Sequence, residues 1–241
     1  MKAQALYTDL AIYYDFIYHF KNYQKEAAEV ARLIAENKNS QGSELLDVGC
    51  GTGKHLEFLQ DRFRCTGVDF NPGILALAKQ KLPNVRFAQA DMSNMNLGRQ
   101  FDVIVCLFSA IGYVKTYRRL RDTINGFVNH LAPGGVVIIE PWLTKDTYRV
   151  GTPHLAIYDG KDIKITRVNV SQARGDVSIL DFHFTVAEKD KPVRYFRDKH
   201  ELGMFDHQRI LAMMKKSGLE GRFEPSGFMK DRGIFIATKP L

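Results

Sequence analysis

The chain has 241 residues, of which 45% are hydrophobic and 25% are charged. These proportions are ordinary for a folded globular protein and exclude collagen-like, low-complexity and disordered chains. The length suits one large domain, or one domain with an insertion. Lysine and arginine outnumber aspartate and glutamate by 34 to 27, a formal net charge of +7, which weakly favours an anionic partner.

We expect neither a membrane-spanning segment nor a secretion signal in this sequence. The densest apolar runs, residues 103–108 and 136–139, are far shorter than the roughly 18 residues of a span. The polar residues within residues 1–16 do not fit a signal peptide. Three cysteines, at positions 50, 65 and 106, cannot pair completely and lack metal-site spacing. We therefore expect a cytoplasmic protein with no metal site.

The first two-thirds of the chain alternate between helix-like and strand-like segments. Residues 5–37 have apolar side chains at helical spacing and predict two helices. Five strands are predicted at residues 43–48, 65–70, 85–89, 101–108 and 136–140. Helices are predicted between them at residues 54–62, 73–82 and 117–131. This alternation predicts an α/β fold, a doubly wound parallel sheet with helices on both faces.

The pattern changes near residue 150. Three long strand-like segments, at residues 162–171, 176–187 and 192–204, follow one another with turn signals between them. A helix at 206–217 and strands at 219–224 and 233–238 follow. We expect a helical cap at 1–37, a Rossmann-like domain at 38–150 and 206–241, and a small antiparallel sheet at 151–205, inserted after the fifth strand.

The sharpest motif is the glycine-rich turn in ELLDVGCGTG, residues 44–53. Such a turn between a strand and a helix lets the backbone approach a ligand closely. Asp69 ends the next strand, at the spacing of about 20 residues that suits a carboxylate binding ribose hydroxyls. The glycines follow G-x-G-x-G, unlike a dinucleotide site, and Asp47 would repel a pyrophosphate. The motif therefore favours S-adenosylmethionine over NAD.

Five motifs occur together in one order and at suitable intervals. They are ELLDVGCGTG (44–53), GVDFNPGIL (67–75), AQADM (88–92), FDVIVCLF (101–108) and HLAPGGVVIIE (130–140). With them the chain resembles the class I S-adenosylmethionine-dependent methyltransferases over nearly its whole length. The resemblance implies their Rossmann-like, seven-stranded sheet. It also implies S-adenosyl-L-methionine as cofactor and S-adenosyl-L-homocysteine as product.

The resemblance implies contacts with three parts of the cofactor. The methionine and ribose part would contact Asp47, Gly49, Cys50, Gly51, Gly53 and Asp69. The adenine would contact Phe70, Asp91 and Met92. Phe108 and Ser109 would lie near the sulfonium. For Asp91 a capping role is the alternative, and for Phe70 a place in the core.

Further stretches resemble a narrower group, the N,N-dimethyltransferases that act on dTDP-linked amino sugars such as the precursors of desosamine or mycaminose. They include YYDFIY (13–18), FSAIGYVKT (108–116), FHFTVAEKDKPVRYFRDKHELGMF (182–205) and RGIFIA (232–237). The resemblance implies methylation of a sugar amine. Residues 228–231 depart from the expected pattern, which leaves the nucleotide and the sugar open.

Methyl transfer needs a neutral amine held about 3–3.5 Å from the methyl carbon. The candidates for orienting or deprotonating that amine are Tyr14, Tyr18, Tyr113 and His183. The candidates for binding the acceptor are Trp142, His200 and Arg232, whose guanidinium suits a diphosphate. As alternatives, the tyrosines anchor the cap, Trp142 lies in the core, and the histidines are polar surface residues.

Other functions stay open at this point. The acceptor is a small molecule in each of the favoured alternatives: a sugar nucleotide, an amino acid or another natural-product scaffold. RNA is disfavoured because the sequence has no basic arm or aromatic-basic platform. A non-catalytic module that only binds S-adenosylmethionine is the remaining alternative. The edges of an inserted sheet also leave a homodimer open.

Overall fold

The computed structural model describes residues 11–241, which form two β-sheets and six α-helices. The strands are β1 (Glu44–Val48), β2 (Arg64–Asp69), β3 (Arg86–Gln89), β4 (Phe101–Cys106), β5 (Leu131–Ile139), β6 (Pro153–Asp159), β7 (Ile163–Arg174), β8 (Val177–Glu188), β9 (Arg194–Gly203), β10 (Glu220–Glu224) and β11 (Ile234–Thr238). The helices are α1 (Tyr14–Ile17), α2 (Tyr23–Asn37), α3 (Lys54–Leu59), α4 (Pro72–Lys81), α5 (Tyr117–His130) and α6 (His207–Lys216). Short 3-10 turns lie at Ala11–Tyr13, Met92–Asn94 and Ala110–Val114.

The central sheet has the strand order β10-β11-β5-β4-β1-β2-β3. Its five strands from β5 to β3 are parallel, and β11 runs antiparallel to both of its neighbours. β1 has β2 on one side and β4 on the other, so the winding direction reverses between β1 and β4. Ligands of open α/β sheets bind at the carboxyl ends of the strands at such a reversal. The doubly wound fold predicted from the sequence is confirmed.

Local sequence explains the central elements. All six residues of β4 are buried, as a parallel strand covered by helices on both faces requires. Helix α4 begins after Asn71, whose side chain accepts hydrogen bonds from two backbone N–H groups, and has Pro72 at its first position. Helix α5 is capped in the same way by Thr116. These caps fix where each helix begins, directly after the loops that line the site.

The second sheet is antiparallel, with the order β6-β7-β8-β9. Its inner face packs on the first described residues, and the shared apolar cluster consists of Tyr13, Ile17, Tyr18, Ile165, Phe182, Phe184 and Val186. The N-terminal segment therefore contacts the inserted sheet directly. The predicted limits of the cap, 1–37, begin outside the described residues and stay a prediction.

Two predictions of secondary structure were wrong. The inserted sheet has four strands rather than three, because β6 was missed. Most of β6 is exposed or half-buried, which weakens its hydrophobic pattern. In addition, β5 begins at Leu131, five residues early, and includes Gly134 with a left-handed φ of 70°. The pairing of β4 with β5 shifts register there, which accommodates the Pro-Gly-Gly sequence inside the strand.

Within residues 11–241, no helix is both long enough and apolar enough to cross a bilayer.

Candidate active site

A cavity of about 1050 Å³ lies at the carboxyl ends of the central strands. One side is formed by the loops that follow β1, β2 and β4. The inner face of the second sheet and the segment around α1 form the other side, and the C-terminal loop before β11 closes it. The topological reversal of the central sheet thus lies at the base of this cavity.

The glycine turn lines this cavity with backbone. Gly49 and Gly51 have left-handed φ values of 77° and 56°. A Cβ on Gly49 would lie 2.6 Å from the Cβ of Ala110, so only glycine fits. The carboxylate of Asp69 accepts hydrogen bonds from the backbone N–H of Gly51 at 3.0 Å and of Asn71 at 2.9 Å. Asp69 therefore fixes the turn, and it also lines the cavity.

Asp47 is a buried carboxylate at the base of the cavity. Its side chain is 2% exposed, and its Oδ2 has no hydrogen-bond partner among the described residues. Burial raises the pKa of Asp47 to about 7, and the negative charge of Asp69 adds to this effect. A buried oxygen without a partner is costly. The site is thus suited to a cationic group such as the amino group of S-adenosylmethionine.

The residues expected near adenine also line the cavity. Phe70 is 51% exposed, so its ring is available for stacking, and Met92 lies nearby in the lining. The two carboxylate oxygens of Asp91 accept hydrogen bonds from Nη2 of Arg119, at 2.9 and 2.7 Å. Although burial raises its pKa, hydrogen bonds from Ser93 and Arg119 hold the pKa of Asp91 below its usual value. Asp91 therefore caps the 3-10 turn while it faces the cavity, and an adenine amine would share its oxygens with Arg119.

Gly53 does not line the cavity. It precedes α3 with a φ of 80°, and a Cβ there would lie 2.8 Å from Cδ1 of Leu82. Its glycine is required by local packing, so the sequence-based assignment of Gly53 to the cofactor is not supported by its position. Gly49, Cys50, Gly51 and Asp69 do meet at one end of the cavity. The turn, the unpartnered Asp47 oxygen and the Asp69 carboxylate fit S-adenosylmethionine.

A strained backbone elbow follows β4. Phe108 and Ser109 both have left-handed φ values, 48° and 64°, which are rare outside glycine. The fully buried Glu140 accepts a hydrogen bond from the N–H of Phe108 at 2.7 Å. The hydroxyl of Ser109 donates to the carbonyl of Pro141 at 2.7 Å and accepts from Nη1 of Arg232 at 3.0 Å. These contacts hold the elbow against the cavity.

The sequence analysis gave Glu140 no role. A carboxylate directly after a buried apolar strand was the available signal, since such a group needs a partner.

Three tyrosines line the acceptor side of the cavity, and the rings of Tyr14 and Tyr18 lie 4.7 Å apart. Burial raises the pKa of both phenols, so they are neutral hydroxyls at physiological pH. The hydroxyl of Tyr113 lies 2.6 Å from Nδ1 of His200, and Nε2 of His200 lies 2.9 Å from Asp198. His200 is 1% exposed on its side chain and is thus part of a buried network.

His183 lies outside the site. Side chains alternate between the two faces of a strand, and Phe182 and Phe184 occupy the inner face of β8. His183 therefore points to the outer, exposed face, where its Nδ1 contacts the hydroxyl of Tyr195. The prediction that His183 acts as a base in the cavity is wrong on this geometry.

Trp142 and Arg232 lie together at the acceptor side. The indole N–H of Trp142 donates to Ser178 at 2.8 Å. The guanidinium carbon of Arg232 lies 4.7 Å from the centre of the Trp142 ring. Burial lowers the pKa of Arg232, and the negative charge of Glu140 opposes this effect. Both residues face the cavity, as the sequence analysis expected.

A methyltransferase-domain family matches residues 45–135, the segment that carries the glycine turn, Asp69 and Asp91. With the reversal of the sheet and the cavity above it, this match defines the class: the protein is an S-adenosylmethionine-dependent methyltransferase. A solved structure of CalS10, an amino pentose methyltransferase with S-adenosylmethionine bound, is 34% identical to the chain. It has a TM-score of 0.82 and covers 91% of this chain and 92% of its own.

Other similar proteins match nearly the whole chain. The dTDP-3-amino-3,4,6-trideoxy-alpha-D-glucopyranose N,N-dimethyltransferase of Streptomyces venezuelae is 35% identical over 95% of this chain and 98% of its own. The crystal structure of DesVI from Streptomyces venezuelae is 34% identical, with a TM-score of 0.91 over 96% of this chain and 99% of its own. The chain belongs to the family of dTDP-amino-sugar N,N-dimethyltransferases.

We predict that Asp69→Ala weakens the binding of S-adenosyl-L-homocysteine at least tenfold. The change removes the hydrogen bonds that hold the glycine turn, and charge-assisted bonds contribute about 1.5–3 kcal/mol each. Isothermal titration calorimetry measures the affinity, with the exposed Asp61→Ala as the matched control. An unchanged affinity in a folded Asp69→Ala variant would contradict this role.

We predict that the affinity for S-adenosyl-L-homocysteine rises with pH as Asp47 ionises. With a pKa of about 7, Asp47 is mostly neutral at pH 6 and mostly charged at pH 8. If the charged form binds the amino group, affinity increases about tenfold over this interval. Without ligand, folding stability changes with pH in the opposite direction to affinity. Because burial raises the pKa of Asp47, the free protein loses stability as pH rises through 7.

Asp47→Asn is the control for this pH dependence, because it keeps the shape of the side chain and cannot ionise. It should bind weakly and equally at both pH values, and it should raise the melting temperature of the free protein at pH 8. A pH dependence that persists in Asp47→Asn would assign the titration to another group.

Proposed function

We propose that the protein transfers methyl groups from S-adenosylmethionine to the amine of a dTDP-linked amino sugar. One observation carries this proposal: the cofactor turn and the inner face of the second sheet line a single cavity of about 1050 Å³. A pocket for one drug-sized ligand has about 300–1000 Å³. At about 1050 Å³ the cavity lies just above this range, which supports a cofactor and an acceptor lying side by side. Relatives that align over 94–96% of this chain are named for dTDP-amino sugars.

The cofactor half would be held at the glycine turn. Asp47 would bind the amino group, Asp69 would bind the ribose hydroxyls, and Phe70 and Met92 would contact adenine. Bound there, S-adenosylmethionine supplies an electrophilic methyl group on a sulfonium. Phe108 and Ser109, at the elbow after β4, would lie next to that group.

The acceptor half would orient the amine rather than deprotonate it with a strong base. Tyr14, Tyr18 and Tyr113 are phenols in the lining, and a neutral hydroxyl orients an amine through a hydrogen bond. A positioned free amine needs little further catalysis, because holding the reactants in line supplies most of the rate. Trp142 would pack on the sugar or the base. Arg232 would bind the diphosphate through its guanidinium.

Two secondary proposals follow from the sequence analysis. We place the reaction in the cytoplasm, because the three cysteines are buried free thiols.

We also propose a homodimer that covers the outer face of the second sheet. Neighbouring strands there expose Leu155, Ile157, Val168 and Val170, between 46% and 63% each.

The proposed reaction predicts two products in sequence. With a dTDP-linked amino sugar and S-adenosylmethionine, mass spectrometry should detect first the monomethylated and then the dimethylated sugar nucleotide. The control is Asp69→Ala, which should slow both steps at limiting cofactor. The proposed acceptor would be contradicted if an RNA or a free small amine were methylated while no dTDP-amino sugar was.

Variants of a positioning residue and of a binding residue should change different kinetic constants. Tyr18→Phe removes one hydroxyl and keeps the ring that packs on Phe108, so kcat should fall only about three- to tenfold. Arg232→Ala should mainly raise KM for the acceptor, by about tenfold or more, because its contact is with the part that does not react. A loss of several orders of magnitude in kcat for Tyr18→Phe would instead identify Tyr18 as an essential base.

A further inference from the structure

A hydrogen-bonded chain of three side chains leads from the second sheet to the cavity. Asp198 and His200 lie two residues apart on β9 and therefore share one face of the strand, the buried one. Nε2 of His200 lies 2.9 Å from Oδ2 of Asp198, and its Nδ1 lies 2.6 Å from the hydroxyl of Tyr113. Tyr113 is half-buried and lines the cavity. The chain thus ends on a phenol of the acceptor side.

The carboxylate at the buried end fixes the direction of both hydrogen bonds. A carboxylate only accepts, so the hydrogen between Asp198 and His200 belongs to Nε2. In a neutral imidazole the other nitrogen, Nδ1, is then an acceptor. The phenol of Tyr113 therefore donates its one hydrogen to Nδ1. Toward any other group, the phenol oxygen can only accept.

The 3-10 turn that carries Tyr113 is anchored next to the elbow of Phe108 and Ser109. It begins at Ala110, directly after the elbow. Directly after the turn, the ammonium of Lys115 lies 2.9 Å from the carboxylate of Glu201 on β9. Two contacts with β9 thus hold the phenol oxygen at a fixed place beside the end of β4.

Packing alone does not explain a buried carboxylate and imidazole. Their removal from water is costly, and apolar side chains of similar volume often stabilise such a position as well or better. The ring of Phe182, 5.2 Å from that of His200 between centres, shows that apolar side chains fit this part of the sheet. The polar chain therefore indicates a role at the phenol that it reaches.

We propose that His200 and Asp198 are positioning residues that make Tyr113 a hydrogen-bond acceptor for the amine of the substrate. This inference rests on the proposed function and deepens it. An N–H donated to Tyr113 fixes the direction of the nitrogen lone pair, which must point at the methyl carbon. In each transfer the lone pair forms the bond to that carbon, the carbon–sulfur bond breaks, and the resulting ammonium releases one proton to solvent.

This hydrogen bond also limits the number of methyl groups. A neutral primary amine has two N–H groups, the monomethylated amine has one, and the dimethylated amine has none. Tyr113 can therefore orient the nitrogen before the first and the second transfer but not before a third. The second transfer depends on Tyr113 more strongly, because only one N–H remains to be oriented.

The test compares methyl transfer to a dTDP-linked amino sugar by two variants of His200. His200→Leu removes the acceptor of the Tyr113 hydrogen, so kcat should fall at least about tenfold while KM for the sugar nucleotide changes less than about threefold. The monomethylated product should accumulate. His200→Asn places an amide oxygen near the position of Nδ1, so kcat should recover to within about threefold of the wild type. An equal loss of kcat in both variants would overturn the proposal.

A double variant separates positioning from packing. If His200 acts through the phenol, His200→Leu should lower kcat by less than about twofold in a Tyr113→Phe background, whereas additive losses would overturn the proposal. The matched control is His183→Gln. His183 also contacts a tyrosine, Tyr195, but on the outer face of the second sheet, so its loss should leave kcat unchanged.

The position of the imidazole hydrogen gives a readout that needs no methyl transfer. NMR of the ring nitrogens, with S-adenosyl-L-homocysteine bound, should find the hydrogen of His200 on Nε2 alone. A hydrogen on Nδ1 would overturn the inference. Should His200→Leu fail to fold, Asp198→Asn keeps the shape of the side chain. It should lower kcat in the same direction, because an amide no longer confines the hydrogen to Nε2.

Failure of this inference differs from failure of the proposed function. If the wild type methylates a dTDP-amino sugar and His200→Leu is equally fast, the positioning role is wrong and the function stands. If the wild type methylates no dTDP-amino sugar, the proposed acceptor is wrong, and this inference is wrong with it.

Discussion

The carboxylate of Asp69 joins the two loops on which the cofactor side depends. It accepts hydrogen bonds from the backbone N–H of Gly51, after β1, and of Asn71, after β2, so it fixes two neighbouring turns at once. The glycines cannot hold this shape alone, because a left-handed turn without side chains has many alternatives in the unfolded chain. The anion of Asp69 therefore orders the turn together with the backbone hydrogen bonds that Gly49 and Cys50 donate to the carbonyl of Val68. The same anion is the one that ribose hydroxyls would meet.

The rest of the cavity is built from parts of the chain that are far apart in sequence. The segment around Tyr14 and Tyr18, the inner face of the second sheet and the loop with Arg232 meet only in the folded protein. Charge is distributed unevenly between the two sides. The carboxylates of Asp47 and Asp69 lie at the glycine turn, whereas Arg167, on strand β7 of the second sheet, and Arg232 line the other side. A cationic cofactor beside an anionic acceptor is the arrangement that this polarity favours.

This difference explains what could be predicted from the sequence. The glycine turn and Asp69 are short-range features whose spacing already determines their geometry, and their loops lie where expected. The role of His183 depended on which face of β8 points inward, and a shift of one residue reverses that choice. The exposed strand β6 lacked a clear alternating pattern. Arg167 and Asn169 of β7 line the cavity, and their Nε and Nδ2 atoms are buried donors without a partner among the described residues. The sequence analysis missed them because unpaired donors become visible only when all possible partners are in place.

The elbow at Phe108 and Ser109 connects the two sides of the cavity. The rings of Phe108 and Tyr18 pack nearly perpendicular to each other, with their centres 5.1 Å apart, and the ammonium of Lys21 lies 4.0 Å from the centre of the Phe108 ring. The hydroxyl of Ser109 accepts a hydrogen bond from the guanidinium of Arg232, so a residue of the acceptor side directly restrains the end of β4. Methyl transfer depends steeply on the distance and alignment of the reacting atoms. Glu140 holds the N–H of Phe108, Arg232 holds the hydroxyl of Ser109, and Tyr18 packs on the Phe108 ring. These contacts together resist displacement of the strained backbone. Restraint at this point keeps the backbone at the end of β4 in place for the reacting atoms that the proposed function puts beside it.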